Sequence, residues 1–149
     1  MVNRFDIDTG SAGIVTGLHY TAENGLSKGV TLILAHGAGS AQQSPFMRHF
    51  AQGMSSRGID TITFNFVYME KGRRAPDHTM RLEATYRAAI EATEARATAT
   101  STRLVIGGKS MGGRIASQVA ASDETLVDVH GLVFLGYPLH PPGRPERRR

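Results

Sequence analysis

Gly108-Lys109-Ser110-Met111-Gly112 sets a serine between two glycines. Before it runs a short apolar segment, residues 103–107 (RLVIG), and after it a helical pattern, SMGGRIASQVAAS. A serine at a sharp strand-to-helix turn can act as an acyl-accepting nucleophile, because the strained turn holds its hydroxyl clear of the sheet. Gly108 and Gly112 suit the close passage of strand and helix that such a turn requires. The backbone N–H of Met111 would point at the carbonyl under attack and form half of an oxyanion hole. A second glycine-rich turn, His36-Gly37-Ala38-Gly39-Ser40, ends the apolar run VTLILAH. Its free N–H, assigned to Ala38, would be the other half.

Three competing chemistries fail on spacing. Gly108-Lys109-Ser110 could close a phosphate-binding loop, but that pattern needs a glycine where Arg103 stands. No G-x-G-x-x-G fingerprint follows a strand. The six histidines, His19, His36, His49, His78, His130 and His140, are scattered without a metal-ligand spacing. Neither a cofactor nor a metal is expected.

The elements that must position these residues read as strands alternating with helices. Residues 4–8 (RFDID) and 13–20 (GIVTGLHY) form an opening hairpin around TGSAG, and Glu23-Asn24-Gly25 marks the next turn. Residues 30–36 (VTLILAH) are almost continuously apolar, as in a strand buried on both faces. Ser44 and Pro45 start a helix that Gly58 stops, with Phe46, Met47, Phe50, Ala51 and Met54 on one face. TITFNF (61–66) is a strand and YMEKGRRAPDH (68–78) a charged loop. Asp77 caps a long helix with an inner stripe of Leu82, Tyr86, Ala89 and Ile90, and Glu83, Arg87 and Glu91 pair along its outer face. Ile115 and Val119 face inward after the serine, and GLVFLG (131–136) is a last strand before a proline-rich end. The pattern predicts an α/β fold, a mostly parallel sheet with helices on both faces.

With 149 residues, 40% of them hydrophobic, the chain supports one domain, spanning 1–149. The absence of cysteine excludes a disulfide scaffold and thiolate metal sites and suits the cytoplasm. The N-terminus lacks a signal-peptide core, and no apolar run reaches transmembrane length, so no membrane role is expected. The net charge of +4 is concentrated in RPERRR (144–149). That run reads as a solvated segment and not as a nucleic-acid site.

HGAGS, FNFVYMEKGRRAPD, GGKSMGGR and GYPLHPPGRPE, in this order and spacing, resemble the small α/β-hydrolase branch close to dienelactone hydrolases. That branch also includes hydrolase-like proteins of animal chromatin complexes. The resemblance implies an esterase-like serine hydrolase on a three-layer sheet, with Ser110 as nucleophile and the N–H groups of Ala38 and Met111 as oxyanion donors. It also places Asn65, Tyr68 and Arg74 at the mouth of a pocket that Gly37 and Gly39 help to form. In that family the acid and the histidine follow the nucleophile on later strands, and no residue here matches either. The chain corresponds to the front two-thirds of the fold, ending after the sixth strand.

Two histidines could stand in as base, His36 and His140, because both follow strands whose C-terminal ends lie near Ser110. Asp123 and Asp128 follow the elbow helix and read as surface residues. GLVFLG ends the sheet, so its open edge predicts a homodimer or higher oligomer. The expected function is a weak carboxylesterase-type serine hydrolase that acts on small-molecule esters through an acyl-enzyme on Ser110. The alternative is a catalytically incomplete hydrolase fold or a binding module.

Overall fold

The apolar runs pair into one six-stranded sheet in a computed structural model that describes residues 1–23, 25–97, 103–122 and 129–148. Strands β1 (Val2–Asp8) and β2 (Ile14–Tyr20) form the antiparallel hairpin expected from their alternation. β3 (Val30–Ala35) is central, flanked in parallel by β4 (Asp60–Phe64) and β5 (Arg103–Lys109), and β6 (Val129–Leu135) adds in parallel to β5. The order across the sheet is β1-β2-β4-β3-β5-β6, with β2 antiparallel to β4. The sheet is therefore mostly parallel. The expected strands at 4–8 and 131–136 each begin two residues earlier, at Val2 and Val129. The expected strand at 61–66 instead runs from Asp60 to Phe64, and Asn65 and Phe66 turn out of the sheet.

Helices cover both faces. Helix α1 (Pro45–Ser55) starts as expected, with the Ser44 side chain accepting a hydrogen bond from the Met47 N–H and Pro45 in the first turn. It buries Met47 against Leu32 and Leu34, and Ala51 against Leu18 and Tyr20. Phe46 is not part of this inner face: it is exposed, stacks on Phe50 and carries the Lys109 ammonium 4.3 Å from its ring centre.

Residues 68–78, read as a loop, open instead with one helical turn, α2 (Val67–Glu70). A turn this short carries no periodicity to detect. The long helix α3 (Thr79–Arg96) buries Leu82, Tyr86, Ala89 and Ile90, the whole expected stripe, and Glu83 pairs with Arg87 at 3.6 Å. Its cap is His78 and not Asp77. Asp77 turns back to accept the Tyr68 N–H at 3.0 Å and to pair with Arg73 and Arg81. Helix α4 (Met111–Ser122) buries Ile115 and Val119 beside α3. Asp123 and Asp128 lie outside the described residues.

The layer of α3 and α4 is tied to the sheet by a polar group as well as by packing. The buried Tyr86 hydroxyl donates to the Gly107 carbonyl at 2.7 Å and accepts the Gly107 N–H at 2.9 Å, with the Ile33 carbonyl 3.1 Å away. Burial raises its pKa, against the Gly107 bond, so it stays a phenol. Tyr86→Phe leaves buried strand groups unsatisfied and is expected to cost about 2 kcal/mol, read from the urea midpoint at unchanged slope.

Candidate active site

The turn between β5 and α4 is built on backbone contact. A Cβ at Gly112 would lie 2.4 Å from the Ala35 carbonyl oxygen and 2.7 Å from that of His36. At Gly108 it would lie 2.5 Å from the Gly112 carbonyl carbon. Only hydrogen fits at either position. Between them Ser110 adopts φ 51, and no other non-glycine residue described here has positive φ. That conformation costs an L-residue roughly 1–2 kcal/mol. The Ser110 N–H donates to the Leu135 carbonyl at 2.9 Å, which holds the turn against the end of β6.

The facing loop, residues 36–44, is pinned from several sides. His36 is fully buried. Its Nδ1 lies 2.8 Å from the Gly37 carbonyl and so carries the proton, and Nε2 accepts the Phe66 N–H at 3.1 Å. The Gly37 carbonyl also accepts the Ser40 N–H at 3.2 Å. In a planar trans peptide, holding that carbonyl toward His36 turns the Ala38 N–H the opposite way. Farther along, the Gly39 N–H donates to the Tyr68 hydroxyl at 3.3 Å and the Gln42 N–H to Asn65 Oδ1 at 3.1 Å. Asn65 is oriented in turn by its Nδ2 donating to Glu70 at 2.9 Å. Burial pushes the Glu70 carboxyl up, but hydrogen bonds from Asn65 and Thr16 and the charge of Arg4 outweigh it and hold its pKa below the ordinary value.

A cavity of about 370 Å³ opens where these parts meet. Ala38, Ser110 and Met111 share its wall. Among the described residues neither the Ala38 N–H nor the Met111 N–H has a hydrogen-bond partner, so both amides are available to an oxygen placed beside Ser110. Gly37, Gly39 and Asn65 do not line this cavity. Gly37 packs behind it, where a Cβ would lie 3.7 Å from that of Ser110, and Gly39 and Asn65 hold the loop from outside. Tyr68 likewise is buried beneath the loop and not at the mouth.

The histidines separate by position and tautomer. His36 is corrected as a base: both ring nitrogens are taken by backbone groups, and burial, against the Gly37 bond, lowers its pKa to about 4. His140 lines the cavity of Ser110. Its Nδ1 faces the Pro141 carbonyl at 3.0 Å and carries the proton, which leaves the Nε2 lone pair open. His78, not singled out in the sequence, lines the same cavity, but its Nδ1 accepts the Arg81 N–H at 3.4 Å, so its neutral ring is protonated at Nε2. His19 binds Asp60 at 2.9 Å, and His49 and His130 lie on α1 and β6. No group of three or more possible metal ligands occurs among the described residues.

A family described as alpha/beta hydrolase domain matches residues 28–149. The chain belongs to the alpha/beta hydrolases. Among solved structures with this fold, a serine hydrolase without lid from Xanthomonas campestris is 19% identical, with a TM-score of 0.70 over 91% of this chain and 68% of its own. The dienelactone hydrolase of Anabaena variabilis is 20% identical, with a TM-score of 0.67 over 81% of this chain and 57% of its own. The alpha/beta hydrolase GrgF from a Penicillium species is 15% identical, with a TM-score of 0.76 over 98% of this chain and 49% of its own. The chain thus spans between 49% and 68% of the length of these hydrolases.

In this hydrolase domain the His36 pin gives stability a pH dependence. The folded pKa of about 4 lies below the ordinary 6.5, so the folded ring excludes a proton that the unfolded ring binds. The contribution is complete above pH 6.5 and is lost as pH falls toward 4. Urea unfolding of the wild type and of His36→Asn, which cannot titrate there, should show their stability difference shrinking by about 3 kcal/mol between pH 7 and pH 4.

Proposed function

We propose that this alpha/beta hydrolase domain is a carboxylesterase-type serine hydrolase with Ser110 as nucleophile. The observation that carries the reading is a single cavity that brings together Ser110, the open amides of Ala38 and Met111, and the open Nε2 face of His140. Ser110 Oγ attacks the ester carbonyl and gives its proton to His140 Nε2. The two N–H groups hold the developing oxyanion, and the alcohol leaves with that proton. Water then hydrolyses the acyl-enzyme by the same route.

Turnover is slow in this scheme. The His140 Nδ1–H rests on a neutral carbonyl, which fixes the tautomer but offers no negative charge to the imidazolium. Loss of the carboxylate from a serine triad costs about 10⁴ in rate. We place the reaction in the cytoplasm, in keeping with the cysteine-free composition. No helix among the described residues is long and apolar enough to cross a membrane.

We also propose that two copies associate through β6. This strand forms one edge of the sheet, and Leu132 and Phe134 on its α4 side are 43% and 42% exposed, with Leu139 beyond it at 66%. Light scattering across a concentration series should give a mass above 16.1 kDa, and Phe134→Lys should return it to that of a single chain.

The test of the chemistry is intact-mass analysis after a fluorophosphonate. One adduct is expected on the native chain and none on Ser110→Ala. His140→Gln should slow labelling by about 10²-fold or more. A folded native chain that takes no label would leave the binding-module reading in its place.

A further inference from the structure

Two basic runs adjoin, in the chain, residues that line the Ser110 cavity. Lys71, Arg73 and Arg74 lead directly into residues 76–79, which line it. Arg144, Arg147 and Arg148 follow Pro138, His140 and Pro142, which line it as well. The first run is fixed at the cavity by Asp77, which binds Arg73 at 3.0 Å and lies 3.7 Å from Arg81. The second is folded back by successive turns, with the Arg144 N–H on the Pro141 carbonyl and the Arg147 N–H on the Arg144 carbonyl, both at 3.1 Å. Lys71, Arg74, Arg144, Arg147 and Arg148 are all exposed. Acidic groups are few here: Asp77 is answered by its two arginines, and Glu146 stands alone in the tail. Within the cavity Arg114 adds a further cation to the wall, beside the apolar surfaces of Leu82, Met111 and Pro138.

A small, partly apolar cavity behind a cationic rim separates two parts of a substrate. The acyl group fits inside, and a polyanionic leaving group would lie across the rim. The acid–base group points the same way. Among the described residues the His140 Nδ1–H rests on the Pro141 carbonyl and not on a carboxylate, so a leaving group that departs with little protonation is favoured. A thiol, with a pKa of about 8.5, leaves far more readily than an alcohol.

We propose that the substrate is a short-chain acyl thioester of a carrier bearing several phosphates. The proposal rests on the acyl-transfer reading of Ser110. The Ser110 Oγ–carbonyl bond forms and the C–S bond breaks. The serine proton passes through His140 to the departing sulfur. Water then cleaves the acyl-enzyme, so that thioester and water give carboxylic acid and thiol. Lys71, Arg74, Arg144, Arg147 and Arg148 hold the phosphates throughout.

The test compares butyryl-coenzyme A with S-butyryl-N-acetylcysteamine, which share the thioester and differ in the phosphates. Released thiol can be counted against a protein that has no cysteine of its own. At low salt the ratio of the two kcat/KM values should favour the phosphorylated substrate by at least about tenfold, the range of electrostatic steering, and should fall toward one in 0.5 M NaCl. The triple variant Arg74→Glu, Arg144→Glu, Arg147→Glu should lose most of that ratio. Arg57→Glu, a charge reversal just past the end of α1, should keep it. A ratio near one in the wild type, or one that survives in the triple variant, overturns the proposal and leaves the serine-hydrolase reading standing if Ser110 is still acylated. No thiol release from either thioester, with no fluorophosphonate label on Ser110, removes both.

Discussion

The structure depends on one contact between backbones. The start of α4 passes so near the end of β3 that the carbonyls of Ala35 and His36 lie against Gly108 and Gly112 with room only for hydrogen. Such an approach forces the chain at Ser110 into left-handed backbone geometry, because strand must become helix within one residue. It also sets the loop after β3 directly opposite the first turn of α4. The open amides of Ala38 and Met111 therefore border one space, although more than seventy residues separate them in the chain. A single added methylene at either glycine would push these two segments apart and take the amides with them.

What keeps the facing loop in register is polar. The segment from Asn65 to Tyr68 supplies three anchors to it: the Asn65 side-chain Oδ1 to the N–H of residue 42, the Phe66 N–H to His36, and the Tyr68 hydroxyl to the N–H of residue 39. Each lies where the sheet ends and ordinary strand pairing can no longer satisfy the backbone. The anchors are themselves held: Asn65 by an ionised Glu70, and the Tyr68 N–H by Asp77. Asp77 thereby joins the loop support to the cavity wall, since the same residue fixes Arg73 and Arg81 at the rim.

Much of this architecture is legible in the chain, and the parts that are not share a cause. The buried run VTLILA, the Leu82–Tyr86–Ala89–Ile90 stripe and the glycines around Ser110 are local signals, each set by periodicity or by a tight turn. A mostly parallel sheet with helices on both faces follows from them. Side-chain partnerships across sequence are different. Nothing near His36 announces that its second nitrogen meets residue 66, thirty positions away, so position alone leaves it open as a base. His78 takes the cap expected of Asp77 because Asp77 meets the Tyr68 N–H. Asn65 and Gly39 sit at the right strand ends for a pocket but serve it from behind. The loop after β3 is legible as a turn, but which of its atoms face inward is fixed by distant partners.

Lys109 and Met111, the neighbours of Ser110, belong to opposite layers. The Lys109 ammonium rests on Phe46 of α1, while Met111 packs in the core shared by α3 and α4. The serine stands at the seam between them, so the turn is anchored from both faces of the sheet through its two neighbours. The geometry at Ser110 is thus a property of the packed fold and not of the five residues that announce it.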